Sequence, residues 1–229
     1  MKPIVYVIIP AFNEALSIGE VISQIPAGLV SKVIVVNNAS TDDTKKAARD
    51  KGATVLDEPR RGYGSACLRG IEYSSRQTPV PDVVVFLDGD LSDYPGEMLT
   101  LVEPIEDNRA DLVIGSRVLG KRSKGSMTVQ QIFGNWLATK LMKLFFDVDF
   151  TDLGPFRAIR FSSLMDLKMQ DKTYGWTVEM QVKAAKRKMR CMEVPVRYRK
   201  RIGVSKISGT VKGTVMAGYK ILFTIFKHI

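Results

Sequence analysis

The chain is 229 residues long, 45% apolar and 25% charged, with a net charge of +10 at neutral pH, which is enough length for one full hydrophobic core. Two distant cysteines, Cys67 and Cys191, and one histidine, His228, argue against a disulfide scaffold, a redox pair and a histidine-rich zinc site. Lys2 precedes a short apolar run broken by Pro10, Asn13 and Glu14, which is no signal peptide, so the expected compartment is the reducing cytoplasm.

From the amino terminus, residues 4–9 (IVYVII) make a buried strand that ends in PAFNE, followed by a helix over about 17–25 capped by Ser17 or Asn13. A strand from Val33 to Val36 ends in the polar turn NNASTD, then a helix runs to about Lys51, with Gly52 as its stop. A short strand at 54–56 leads to the Gly-rich stretch 58–70 and a helix to about Arg76. Val83 to Leu87, apolar without alternation, form a strand buried on both faces. A helix over about 95–108, a strand at 112–115 and a basic loop at 118–125 follow.

Beyond the basic loop we expect a helix of about twenty residues carrying Trp136, a loop into a strand over 151–160, and a helix from YGWTVEMQVKA. A strand over 192–198 contains Pro195, which suits an edge. Trp136 and Trp176 are expected in the core rather than as sugar platforms. Strand, turn and helix alternating in this way predict an α/β protein with a mostly parallel sheet flanked by helices. Ligands then sit beyond the carboxyl ends of the strands, where Glu14, Asn38, Arg61 and Asp88 all fall.

The chemistry concentrates in residues 83–95, VVVFLDGDLSDYP. Asp88 and Asp90, two apart on an extended chain, share one side, and carboxylates about 4 Å apart repel by ~4 kcal/mol at an effective dielectric near 20. Either the turn is solvated, one acid stays protonated, or a cation relieves the pair; an open Mg²⁺ or Mn²⁺ site completed by water and phosphates fits better than a calcium cage. Gly62, Gly64 and Gly70 miss the dinucleotide spacing, and GSRVLGKR (115–122) misses a P-loop because Arg122 stands where a hydroxyl must reach magnesium. Arg117, directly after a buried strand, should face the cleft.

Charge is uneven. Residues 1–115 hold 11 Lys and Arg against 17 Asp and Glu, and residues 116–229 hold 23 against 7. The second half needs an anionic partner: phosphates, a membrane surface or nucleic acid. Nucleic acid is set aside because aromatics are not interleaved with the basic clusters.

The blocks YVIIPAFNE, VIVVNNASTDDT, RGYGSACLRG, FLDGDLSDYP, VIGSR, VEMQVKA and EVPVRYRKRIGVSK resemble, in order and spacing, the family 2 glycosyltransferases, and among them the dolichol- and polyprenol-phosphate sugar synthases. The resemblance covers about residues 4–210. It implies a GT-A fold, a Mg²⁺ or Mn²⁺ ion, a GDP- or UDP-sugar donor, inversion at the anomeric carbon, and a polyprenyl phosphate acceptor, with a hydroxyl acceptor as the alternative. It further implies that Pro10, Phe12, Glu14, Asn38, Arg61 and Asp88 bind the nucleotide and that Asp88 and Asp90 hold the metal. Asp90, Arg117 and Glu179 would be catalytic, and Arg117, Arg157, Arg201, Ser205 and Lys206 would hold phosphate and acceptor. If a base is needed, Glu179 or Asp152 is the candidate.

The segment 1–210 is thus expected as the catalytic domain and 211–229 as an amphipathic helix. Lys212, Lys220 and Lys227 fall within about 80° of arc at ~100° per residue, which disfavours a membrane span and suits a helix lying at the membrane surface. Packing on its own domain and a homodimer contact are the alternatives. The expected location is cytoplasmic, peripheral at the membrane.

Overall fold

The computed structural model describes residues 2–203 and 211–229, except the side chains of Val211, Lys212 and Thr214. Seven strands form one sheet: β1 (Val5–Ala11), β2 (Lys32–Asn37), β3 (Thr54–Asp57), β4 (Val83–Phe86), β5 (Leu112–Ser116), β6 (Arg157–Arg160) and β7 (Cys191–Pro195). Their order is β3-β2-β1-β4-β6-β5-β7. All neighbours pair in parallel except β6, which runs antiparallel to both β4 and β5. β7 lies at the edge and Pro195 is its last residue, so no ladder bond inside the sheet is lost.

Among the described residues eight α-helices cover the sheet: α1 (Ile18–Ser23), α2 (Thr44–Asp50), α3 (Tyr63–Ser75), α4 (Met98–Glu106), α5 (Val129–Phe146), α6 (Phe161–Leu167), α7 (Trp176–Lys186) and α8 (Val211–Lys227). The two-residue alternation of a strand sends its neighbours to opposite faces. Val83, Val85 and Leu87 accordingly join the core under α1 and α4, whereas Val84 and Phe86 join the one under α3, α5 and α7. That double burial is why the run shows no polar alternation. Phe86 meets Trp176 edge to face, with ring centroids 5.7 Å apart; truncating such a residue costs ~3–5 kcal/mol.

Three details depart from the expectations. The segment after Tyr94 starts as a single 3-10 turn, Pro95–Glu97, before α4. A short helix, α6, follows β6 directly, and seven residues are too few for a readable period. Trp136 is 52% exposed whereas Trp176 is buried. The amino end of α5 is set by a capping box: Thr128 Oγ1 accepts from the Gln131 amide at 3.2 Å, and Gln131 Oε1 accepts from the Thr128 amide at 2.8 Å. α8 packs on α5 and α7 and places Ile225 in the core.

Candidate active site

The carboxyl ends of β1, β2, β3 and β4 open into a cleft of about 310 Å³ lined by Pro10, Phe12, Glu14, Asn38, Arg61, Asp88 and Asp90, with Tyr63, Tyr174 and Arg201 at its margins. A second cleft, about 510 Å³, lies between the basic loop, α5 and α8; Arg117, Asn135, Tyr198 and Lys200 line it. Asp88 and Arg201 line both. The two spaces therefore meet at Asp88 and Arg201.

In the first cleft the Arg61 guanidinium lies 4.7 Å above the Phe12 ring, a cation–π stack. Asn38 spends its whole amide on the loop that carries Arg61. Its Nδ2 donates to the Glu58 and Arg60 carbonyls at 3.1 and 2.7 Å, and its Oδ1 accepts from the Gly62 amide at 2.8 Å. An aspartate there would lack the donor. Gly62 and Gly64 have a steric purpose: a Cβ on either would sit 2.1 Å from the Lys172 carbonyl oxygen or 2.0 Å from that of Asp171.

The acid loop is short of partners. Among the described residues, Asp88 Oδ1 and both Asp93 oxygens are shielded and accept no hydrogen bond, and the same holds for Asp90 Oδ2, which is instead ion-paired to Arg201. Asp90 Oδ1 accepts from the Ser92 amide at 2.9 Å. Burial raises the pKa of Asp88, opposed by Arg201, Tyr63, Arg117 and Arg157. Burial, then the neighbouring Asp88, lifts Asp93 to about 8. Buried carboxylate oxygens without donors at the mouth of a cleft fit a divalent cation. Among the described residues no three His, Cys, Asp or Glu side chains converge on one point, so the fit is to an open site that a ligand must complete.

Arg117 lines the second cleft, with its guanidinium 5.1 Å from the Tyr198 ring centre. Asp152, fully buried, grips it through Nε at 2.8 Å and Nη2 at 2.7 Å. Burial alone would lower the pKa of Arg117, but Asp152 more than offsets it and the net shift is upward. Both Asp152 oxygens are thus engaged by Arg117.

Two expected site residues lie elsewhere. Glu179 is buried and lines neither cleft; it accepts from the amides of Gln170 and Asp171 at 3.0 and 2.7 Å and pairs with Lys183 at 2.6 Å. Arg157 is wholly buried, donating to the carbonyls of Gly154 and Thr177 at 3.0 Å each, and burial lowers its pKa to about 10. Neither residue lines either cleft. Ser205 and Lys206 lie outside the described residues.

Sequence reasoning overlooked Tyr63, Tyr174 and the Arg117–Asp152 clamp, and it gave Asp93 and Tyr198 no role. Asp93 was readable as the third acid of the loop. The clamp was not, because 35 residues separate its halves.

A family model, glycosyl transferase family 2, matches residues 6–168. An uncharacterized glycosyltransferase of Mycobacterium tuberculosis is 36% identical, covering 93% of this chain and 94% of that protein. An undecaprenyl-phosphate mannosyltransferase of Micrococcus luteus is 31% identical over 91% of this chain and 89% of its own length. In three dimensions the chain is similar to glucosyl-3-phosphoglycerate synthase of Mycobacterium tuberculosis in complex with Mn²⁺, uridine diphosphate and phosphoglyceric acid. The TM-score is 0.76 at 21% identity, covering 99% of this chain and 78% of the other. That likeness shows the fold, which is GT-A.

Proposed function

Because the chain belongs to glycosyl transferase family 2, we propose that it moves a sugar from a GDP- or UDP-sugar, with inversion, onto a polyprenyl phosphate at an anionic membrane surface. The observation that carries this reading is the meeting of two clefts at Asp88 and Arg201, one at the strand ends and one opening between α5 and α8. The first suits the nucleotide: Pro10, Phe12 and Glu14 line it and Asn38 shapes its wall. A Mg²⁺ or Mn²⁺ ion held by Asp88 and Asp90 would neutralise charge on the departing diphosphate. Arg201 and Arg117, at the junction and in the second cleft, would hold the phosphates on either side of the bond that breaks.

The acceptor reading is supported by the chemistry of a phosphate oxygen and by the partners of the two carboxylates expected as bases. A phosphate monoester has its second pKa near ~6 and is already an anion at neutral pH, so its oxygen attacks the anomeric carbon without losing a proton to the enzyme. The bond from that carbon to the diphosphate breaks, and the electron pair leaves with the nucleoside diphosphate. A hydroxyl acceptor needs a base, and both Glu179 and Asp152 are consumed by other partners.

The surroundings of the second cleft favour a lipid. Val129, Ile132, Phe133 and Trp136 form an exposed row on α5, and Val215, Met216, Tyr219, Phe223 and Phe226 form another on α8. Phe145 and Phe226 join the helices, with ring centroids 5.7 Å apart. Lys124, Lys140, Lys200 and Lys227 are exposed nearby, each contributing ~1 kcal/mol at an anionic surface. Lys220 is excluded from this role because it pairs with Asp171 at 3.0 Å. Among the described residues no helix is long and apolar enough to cross a membrane.

The test presents labelled GDP- and UDP-sugars to the purified enzyme with undecaprenyl phosphate in anionic vesicles, and separately with soluble hydroxyl acceptors. Label in the lipid phase that vanishes on chelation, together with vesicle flotation lost in high salt or in Phe133→Ser/Trp136→Ser, is expected. Transfer to soluble hydroxyls with none to lipid overturns the acceptor.

A further inference from the structure

We propose that Arg201 is the resident counter-ion of the metal-site carboxylates in the ligand-free protein, so that a divalent ion binds well only when an incoming diphosphate draws Arg201 away. The inference rests on the reading of this cleft as a metal–nucleotide site.

Four observations carry it. Asp90 is 1% exposed, and among the described residues its Oδ2 has no partner but the Arg201 guanidinium. Its other oxygen is engaged by Ser92, so Oδ2 is the one left to bind a cation. Arg201, by contrast, is not buried around its whole length: its side chain is 32% exposed and borders both clefts. The backbone beside it is fixed to the acid loop, with the Ile202 amide donating to the Asp90 carbonyl at 3.0 Å and the Arg199 amide to the Ser92 carbonyl at 2.9 Å. Arg197 pairs with Glu97, and Arg197 and Arg199 both stand 4.3 Å from the Tyr94 ring.

The main chain is thus anchored on both sides, while among the described residues the guanidinium is held by one carboxylate contact and borders both clefts. A metal ion and Arg201 compete for the same oxygen, because two cations sharing Asp90 Oδ2 would repel. A diphosphate changes the balance by offering the guanidinium a bidentate partner of greater charge. Metal and nucleotide then assist one another, and the coupling is reciprocal. Asp88, whose Oδ1 has no donor among the described residues, shares the same counter-charge and gains with Asp90 when the ion arrives. The apparent affinity for the ion alone is the intrinsic one reduced by the fraction of molecules in which Asp90 is unpaired.

The experiment titrates Mn²⁺ alone into the wild type, Arg201→Gln and Arg201→Lys, read by the electron paramagnetic resonance of free Mn²⁺, with metal-free thermal melting alongside. Arg201→Gln should bind Mn²⁺ at least tenfold more tightly than the wild type, with Arg201→Lys between them. It should also melt lower without metal and gain more on adding Mn²⁺, because two acids have lost their counter-charge. Equal or weaker Mn²⁺ binding in both variants overturns the proposal while leaving the metal site standing. No Mn²⁺ binding by any form, with or without uridine or guanosine diphosphate, overturns the metal–nucleotide reading itself. If Arg201→Gln does not fold, the wild type and Arg201→Lys decide: identical affinities count against the proposal.

Discussion

Asp152 holds Arg117 three times, accepting from Nε at 2.8 Å, from Nη2 at 2.7 Å and from the Arg117 backbone amide at 2.7 Å. The clamp is itself held. Glu193 accepts from the Thr151 and Asp152 amides at 2.8 and 3.0 Å, and Gln181 Nε2 donates to the Asp152 carbonyl at 3.0 Å. A guanidinium at a cleft wall is useful to a transferring phosphate only if its fork is aimed, and here a buried carboxylate aims it.

Breaking the clamp should therefore affect both folding and turnover. Asp152→Ala leaves a cation without its buried partner, a change that costs ~3–5 kcal/mol, and urea denaturation should show a loss of that order. Arg117→Lys keeps the charge but loses the fork; kcat should fall at least tenfold while the protein stays folded. An unaltered kcat in Arg117→Lys would show that only charge matters there.

Asp93 gives a pH signature in metal-free protein. Its folded pKa is near 8 against an ordinary carboxylate value of 3.8, raised first by burial and next by Asp88. The folded protein thus binds this proton more tightly than the unfolded chain. The stability it contributes is full below the ordinary value and is lost as pH rises towards 8. Asp93→Asn removes the penalty, so the variant should out-melt the wild type by a margin that grows from pH 4 to pH 8. Reaching only ~1 kcal/mol would still shift Tm by ~2–4 °C at this size. Parallel melting curves across that range would contradict the assignment.

Glu179 should behave as a fastener. Its carboxylate secures the amides of Gln170 and Asp171 at the start of the loop that leads to Tyr174 in the first cleft. Glu179→Gln should lower stability by ~1–3 kcal/mol and leave kcat at 25 °C within about threefold. A general base would instead cost 10²- to 10⁴-fold, so the two roles separate cleanly in single-turnover kinetics.

Gly64 tests the contact between that loop and α3. The Gly64 amide donates to the Thr173 carbonyl at 3.3 Å, and an added Cβ would lie 2.0 Å from the Asp171 oxygen. Gly64→Ala must push the loop outward, at ~1–3 kcal/mol for overpacking. The donor KM should rise more than kcat falls, because Tyr174 and Arg61 flank the first cleft. Gly28→Ala, exposed, where a Cβ meets nothing within 4 Å, is the control and should change neither.

The sequence by itself determined the strand–helix alternation, the double burial of Val83 to Leu87, the edge placement of the strand containing Pro195 and the acid pair at the sheet's open end. These are local properties. A two-residue or 3.6-residue period, or a proline without an amide, needs no distant partner to be recognised. The family membership followed from the same local blocks. Only the tertiary structure decided that β6 runs against its neighbours, since a strand's period is the same in either direction. It also decided which charges are spoken for: Asp152 by Arg117, Glu179 by two amides and Lys183, Asp90 by Arg201. Those pairings join residues 4 to 111 positions apart. A side chain's role depends on the field and donors that folding brings to it, and no spacing along the chain reveals that Arg117 is aimed while Arg157 is entombed.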